Sequence, residues 1–291
     1  MIWLSAVLPV TAALVLALVT TSLHHRLPPE SASKAAALSL GVVAATAVPT
    51  LWVLSISFIA HLSFFGGRLE WCAQAFGVHE PVSGWIGVPA VAISLIGCRR
   101  AARVMSSYRQ LLHHAPGPVE IVEHHKVFAY TLPGRGGHIV VSSALIDLVD
   151  ESEYEVVLAH ERAHARHRHD RFLLMAQVSA AFLPILRPLA SRVQYALERW
   201  ADEEAVSHCG DRRFVALTLG KVALGAAGPV GVMAFGGLGV SGRVAALLGP
   251  PVRRPSAAAG AALWAAIGST GLLAVFQVHH LVVMFSALCP G

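Results

Sequence analysis

The chain has 291 residues, of which 55% are hydrophobic and 13% charged, with a mean hydropathy of +0.61 and a formal net charge of +5. A soluble domain carries about 25% charged residues, so this composition excludes an ordinary soluble globule and points to a membrane protein. The basic balance does not indicate a nucleic-acid binder: no dense Lys/Arg run with interleaved aromatics occurs, and the arginines flank apolar segments, so no direct nucleic-acid partner is expected.

A helix needs about 20 apolar residues to cross the hydrocarbon core. Residues 2–23 form the first such stretch. It lacks a basic leader and a small-residue cleavage site, and is read as a retained helix rather than a signal peptide. The second runs over 35–65, with Pro49 as a kink site, and the third over 81–98, with Gly84, Gly87 and Pro89 inside it. The last covers 257–288 and spans with tilt. Residues 172–186 form a shorter apolar run, ended by Pro184, Arg187 and Pro188, which fits a buried or re-entrant helix better than a crossing. The expectation is therefore a mainly α membrane protein of about four transmembrane helices. Residues 1–98 hold three of them, 99–256 form a cytosolic α+β domain, and 257–291 hold the fourth.

The flanking cations set the orientation. Arg26 and Lys34 lie in the first loop and only Arg68 follows the second span. Arg99, Arg100, Arg103 and Arg109 follow the third, and Arg253 and Arg254 precede the fourth. By the positive-inside rule both termini lie outside and residues 99–256 lie in the cytosol of a multi-pass cell-membrane protein, with membrane lipid as a partner. His279 and His280, inside the last apolar segment, are placed at its outer interface. The cysteines at 72, 98, 209 and 289 show no C-x-x-C spacing, so a cysteine zinc site is not expected.

Within the cytosolic segment, 99–114 reads as a helix leaving the membrane. Strand-like runs follow at 119–125, 127–132 and 138–143, with "PGRGG" as a turn. Ser152 and Glu155 form an S-x-x-E capping box that starts a helix near Glu153, favourable to about Arg168. That helix carries "HERAH" (160–164), an H-E-x-x-H pattern. Histidines four apart share one helix face and reach one ion, while Glu161 reaches a water beside it. This is the chemistry of a zinc hydrolase: His160 and His164 as ligands, Glu161 as general base.

A catalytic zinc has a third protein ligand. His167 shares the face but lies about 10 Å along the axis from His160. His169 points to the opposite face of a continuous helix. Asp170 holds the metzincin third-ligand position, but His167 stands where that motif needs its bending glycine. Downstream, "YALERWADEEAV" (195–206) places Glu198 and Asp202 four apart on one face. Glu198 is the expected third ligand, and Asp202 the carboxylate that holds a ligand imidazole through its other N–H. Glu203 and Glu204 point elsewhere. His208, Arg212 and Arg213 are weak oxyanion candidates, and the 138–142 run is an expected edge strand for an extended substrate.

The paired H-E-x-x-H and E-x-x-x-D motifs resemble those of gluzincin metallopeptidases. Residues 129–170 are similar to the antibiotic-sensing membrane peptidases of the BlaR/MecR type, in which a cytosolic zinc protease domain sits between the third and fourth transmembrane helices. The likeness extends more loosely to HtpX and to the CaaX prenyl-protein proteases. The resemblance implies a zinc metalloendopeptidase with one Zn²⁺ per chain, a protein substrate such as a BlaI-like repressor inactivated on a signal, and a second copy of the chain as a candidate partner. Those receptors continue into an extracellular penicillin-binding sensor. This chain stops at Gly291, and no S-x-x-K nucleophile follows its last apolar segment, so β-lactam binding by it is not expected. A housekeeping membrane-protein protease is the alternative. A non-catalytic zinc-stabilised membrane scaffold is the rival, against which a general base at Glu161 argues.

Overall fold

In the computed structural model the described residues are 2–22, 26–60, 62, 82–112, 119–134, 137–227, 237–250 and 257–288. Three long helices come first: α1 (Ile2–Ser22), α2 (Pro29–Ala60) and α3 (Gly84–Leu111). A small sheet follows, of β1 (Val119–Val122), β2 (Ala129–Thr131) and β3 (Ile139–Ser142). Then come α4 (Ser143–Leu148), α5 (Glu151–Arg166), α6 (His169–Phe182), a 3₁₀ turn at Pro184–Leu186, α7 (Arg187–Cys209), α8 (Arg212–Ala227), α9 (Gly237–Leu248) and α10 (Ala257–Leu288).

Among the described residues three helices are long and apolar enough to cross a membrane: Pro29–Ile59, Gly84–Leu111 and Ala257–His279. The described apolar part of α1, Pro9–Thr20, is shorter. α2 begins six residues before the expected start and runs through Pro49 without interruption. α3 joins the expected third span and exit helix into one rod. Its large apolar side chains Trp85, Val88 and Leu95 are exposed, as are Leu272, Val275 and Phe276 on α10, a surface suited to lipid. Arg68, Arg253, Arg254, Cys72, Cys289 and the side chain of His280 lie outside the described residues.

The 172–186 run resolves into α6 and the turn after it. α6 packs against α2 and α3, and the chain then turns back as α7, also against α2. Small residues permit the close approaches. A Cβ on Gly97 of α3 would meet the Phe182 carbonyl at 2.9 Å, and one on Gly41 of α2 would meet Met175. One apolar cluster unites Ala13 and Ala17 of α1, Ala36, Leu40 and Val43 of α2, Ala176 and Ala180 of α6, and Leu189, Val193, Leu197 and Trp200 of α7.

The sheet order is β1-β3-β2, with β1 parallel and β2 antiparallel to β3. The expected edge strand at 138–142 is thus the central strand. All four residues of β3 are buried, because Ile139 and Val141 face the core formed with Leu145, Val157 and Leu158, while both neighbours take up its backbone groups. β2 is the edge beside the cleft.

α5 starts two residues earlier than the S-x-x-E reading. Asp150 is its N-cap: the carboxylate accepts from the Glu153 N–H at 2.8 Å, and Glu153 accepts from the Asp150 N–H at 3.0 Å. Glu155 instead pairs with Arg162. The two boxes overlap by one turn, and the aspartate, held extended after Val149, takes the cap. The helix also ends earlier. Arg168 is left-handed (φ 54°), the one non-glycine with positive φ among the described residues, and α6 begins at His169.

Candidate metal centre

α5 and α7 lie against each other, and their facing residues are the ones the two motifs single out. His160 Nε2 and His164 Nε2 stand 3.2 Å apart. Glu198 brings Oε2 to 3.5 Å from the first and Oε1 to 3.7 Å from the second. Among the described residues this is the cluster of His, Cys, Asp and Glu side chains able to hold a metal ion. Tetrahedral Zn²⁺ with bonds of about 2.0–2.2 Å sets its donors about 3.3–3.6 Å apart, so the spacing and the two-nitrogen, one-oxygen donor set fit that ion.

The other ring nitrogens each have a close polar neighbour. Asp202, fully buried, puts Oδ1 at 3.1 Å from His160 Nδ1. His169 Nδ1 lies 3.0 Å from His164 Nδ1. The Nε2 atoms are therefore the ones that face Glu198. Glu161, also buried, is held at its Oε2 by the Thr131 hydroxyl of β2 at 2.8 Å; the same hydroxyl lies 2.9 Å from the Glu161 carbonyl.

Arg243 of α9 completes the arrangement and was not foreseen. Its Nε and Nη2 donate to the two Asp202 oxygens at 2.8 and 2.6 Å, and its Nη1 lies 2.9 Å from Glu198 Oε2. The signal was present: one arginine inside the apolar "GLGVSGRVAALL", where a cation needs a carboxylate partner. The adjacent Gly242 lets α9 approach α7, since a Cβ there would sit 3.1 Å from the Tyr195 hydroxyl.

These neighbours set the charge states. Burial alone would lower the His160 pKa, but Asp202 and Glu198 outweigh it and push it up to about 10. Burial, then the charge of His160, lowers His164. Burial opposes ionisation of Glu198 and Asp202, yet Glu198 is held well below the usual carboxylate range by His160, His164 and Arg243, and Asp202 is lowered by Arg243 and His160. Burial, then His164 and His167, push His169 down to about 3, so it is neutral at physiological pH.

His169 is the clear correction to the sequence reading. A continuous helix would point it away; the break at Arg168 turns it back onto His164, with 2% of its surface exposed. His167 stays off the cluster, 3.1 Å from Glu204. Glu203 pairs with Arg212 and Arg199, away from the site. Asp170 accepts from the Tyr108 hydroxyl of α3 at 2.6 Å.

A cleft of about 690 Å³ opens over the cluster. Its walls are β2, α5, α6, α7 and the end of α3, where Val104, Ser107, Tyr108 and Leu111 line it. His208, Arg212 and Arg213 are not among its lining residues.

No curated protein and no solved structure matches the chain. Residues 99–193, which are 95 of the 291, match the profile described as Peptidase family M48. The matched segment takes in the C-terminal half of α3, the sheet and the H-E-x-x-H helix, and it supports a membrane-associated metallopeptidase.

Proposed function

We propose that the protein is an integral-membrane zinc metalloendopeptidase that hydrolyses a peptide bond of a protein substrate at the 160–164/198 cluster. The observation that carries this is the convergence of His160, His164 and Glu198 beside a buried Glu161 at the wall of a cleft. His160, His164 and Glu198 would hold one Zn²⁺, which when bound supplies Lewis-acid polarisation of the scissile carbonyl and activation of water.

The chain's own residues carry the proton and the positioning. Glu161, its carboxylate oriented by Thr131, accepts a proton from the attacking water as the C–O bond forms, and delivers it to the amine nitrogen as the C–N bond breaks. Asp202 keeps the His160 ring turned with Nε2 inward, and Arg243 balances the paired carboxylates. The open edge of β2 supports an extended substrate laid antiparallel along Ala129–Thr131.

The arginines at 99, 100 and 103 near the cleft end of α3 favour a cytosolic cleft with both termini outside. Within that setting the substrate we favour is a BlaI-like repressor cleaved on a signal. The wall contributed by α3, a helix able to cross the membrane, equally favours membrane-proximal protein segments, as in housekeeping proteolysis of the HtpX type. The test is metal content and cleavage of candidate repressors and of membrane-protein substrates by the detergent-solubilised full chain, wild type against Glu161→Gln. The variant is expected to retain zinc and to lose at least about a hundredfold in cleavage. An equally active variant would overturn the reading and favour a zinc-stabilised signalling protein.

A further inference from the structure

We propose that His169 is a positioning residue for the metal centre: its Nδ1 accepts the Nδ1 proton of His164 and so leaves the His164 Nε2 lone pair aimed at His160 and Glu198. This rests on the reading of His164 as a ligand.

A neutral imidazole has one donor nitrogen and one acceptor nitrogen, and a metal takes the acceptor. His164 Nε2 faces His160 and Glu198, so its proton belongs on Nδ1. The atom 3.0 Å from that Nδ1 is His169 Nδ1, which must then be the acceptor and carry its own proton on Nε2. His160 has a carboxylate in the corresponding place. The two ligand rings are thus held by different chemistry, one by an anion and one by a neutral ring.

The backbone is arranged for this contact. Residue 169 lies five positions after 164, about 140° round a continuous helix at 100° per residue. The non-helical His167 (φ −91°, ψ 3°) and the left-handed Arg168 together return it to the face of His164, and such strained residues concentrate at functional sites. Packing fixes the ring once it is there. Trp200, itself buried, lies 4.6 Å from it centroid to centroid, and Lys34 Nζ of α2 lies over the Trp200 ring, 4.8 Å from its centroid.

The test uses the full chain in detergent, with Zn²⁺ affinity measured by chelator competition and folding by thermal melts of the zinc-free protein. His169→Phe keeps a planar ring and removes the acceptor. His169→Asn places an amide oxygen at the position of Nδ1. His169→Phe is expected to weaken Zn²⁺ binding 10–100-fold, and His169→Asn to restore it to within a few-fold of wild type. Wild-type affinity in His169→Phe, or no recovery in His169→Asn, overturns the proposal. His164→Ala separates the two levels: if it binds Zn²⁺ as tightly as wild type, the ligand reading itself fails. Should His169→Phe not fold, nitrogen-15 spectra of the zinc-loaded wild type decide. His169 protonated on Nε2 supports the assignment, and His169 protonated on Nδ1 overturns it.

Discussion

Glu198 stands at the junction of two demands. It faces two imidazole nitrogens on one side and Arg243 on the other. Replacing it by alanine removes the proposed third ligand but leaves Asp202 with its guanidinium partner. Glu198→Ala is therefore expected to fold and to lose zinc affinity on the order of a hundredfold or more, read by metal analysis after dialysis. Full zinc retention would exclude it as the third ligand. Arg243 predicts the opposite balance. Arg243→Met strips the guanidinium from a fully buried Asp202 carboxylate and leaves it only His160, a change that costs up to about 3–5 kcal/mol when one member of a buried ion pair is removed. Denaturant unfolding of the zinc-free protein should register that loss, and Arg243→Met with Asp202→Leu should recover most of it. A single variant as stable as wild type would show that the pair carries no such weight. At this scale the sequence was informative where chemistry is local. The spacing of His160, Glu161 and His164, and of Glu198 and Asp202, is legible because four residues make one helical turn. Arg243 was not, since it comes from a helix 41 positions beyond Asp202 and no local pattern ties the two.

The helices and strands show why the remainder was hidden. The start of α5 was read from Ser152 and Glu155, whereas Asp150 and Glu153 form the cap, and where the helix ends turns on the left-handed Arg168, which residue preference argues against. The place of His169 follows from the two-residue turn at His167 and Arg168. Strand order was likewise invisible: three short β-like runs were read in the right places, but which one lies in the middle is decided by packing against Leu145, Val157 and Leu158. Two substitutions test these elements. Asp150→Ala removes the cap of the helix that carries the motif and is expected to cost about 1 kcal/mol, with little change in zinc affinity. Gly137 has φ 57°, and a Cβ there would fall 2.1 Å from that of Ala165, so Gly137→Ala both strains the β2–β3 connection and pushes the last turn of α5. It is expected to lower the melting temperature more than Asp150→Ala does; the reverse order would mean that the turn yields freely.

The molecule as a whole hangs on the cluster shared by α1, α2, α6 and α7. α7 presents Leu189, Val193, Leu197 and Trp200 to the long helices, and on its neighbouring face carries Glu198 and Asp202 toward α5. The two faces of one rigid helix cannot be moved independently. Residues 99–256 expressed alone would leave that apolar face bare and are expected to aggregate or to bind no zinc, measured by size-exclusion chromatography and metal content beside the full chain. A monodisperse, zinc-binding fragment would show that the long helices are dispensable to the centre. The same helix bears on how such a chain changes over generations. A hydrolytic site that is a free-standing module is readily cut out and joined to a new anchor. Here α7 packs against the long helices on one face and carries the proposed ligand on the next, so a substitution that suits one face must also suit the other.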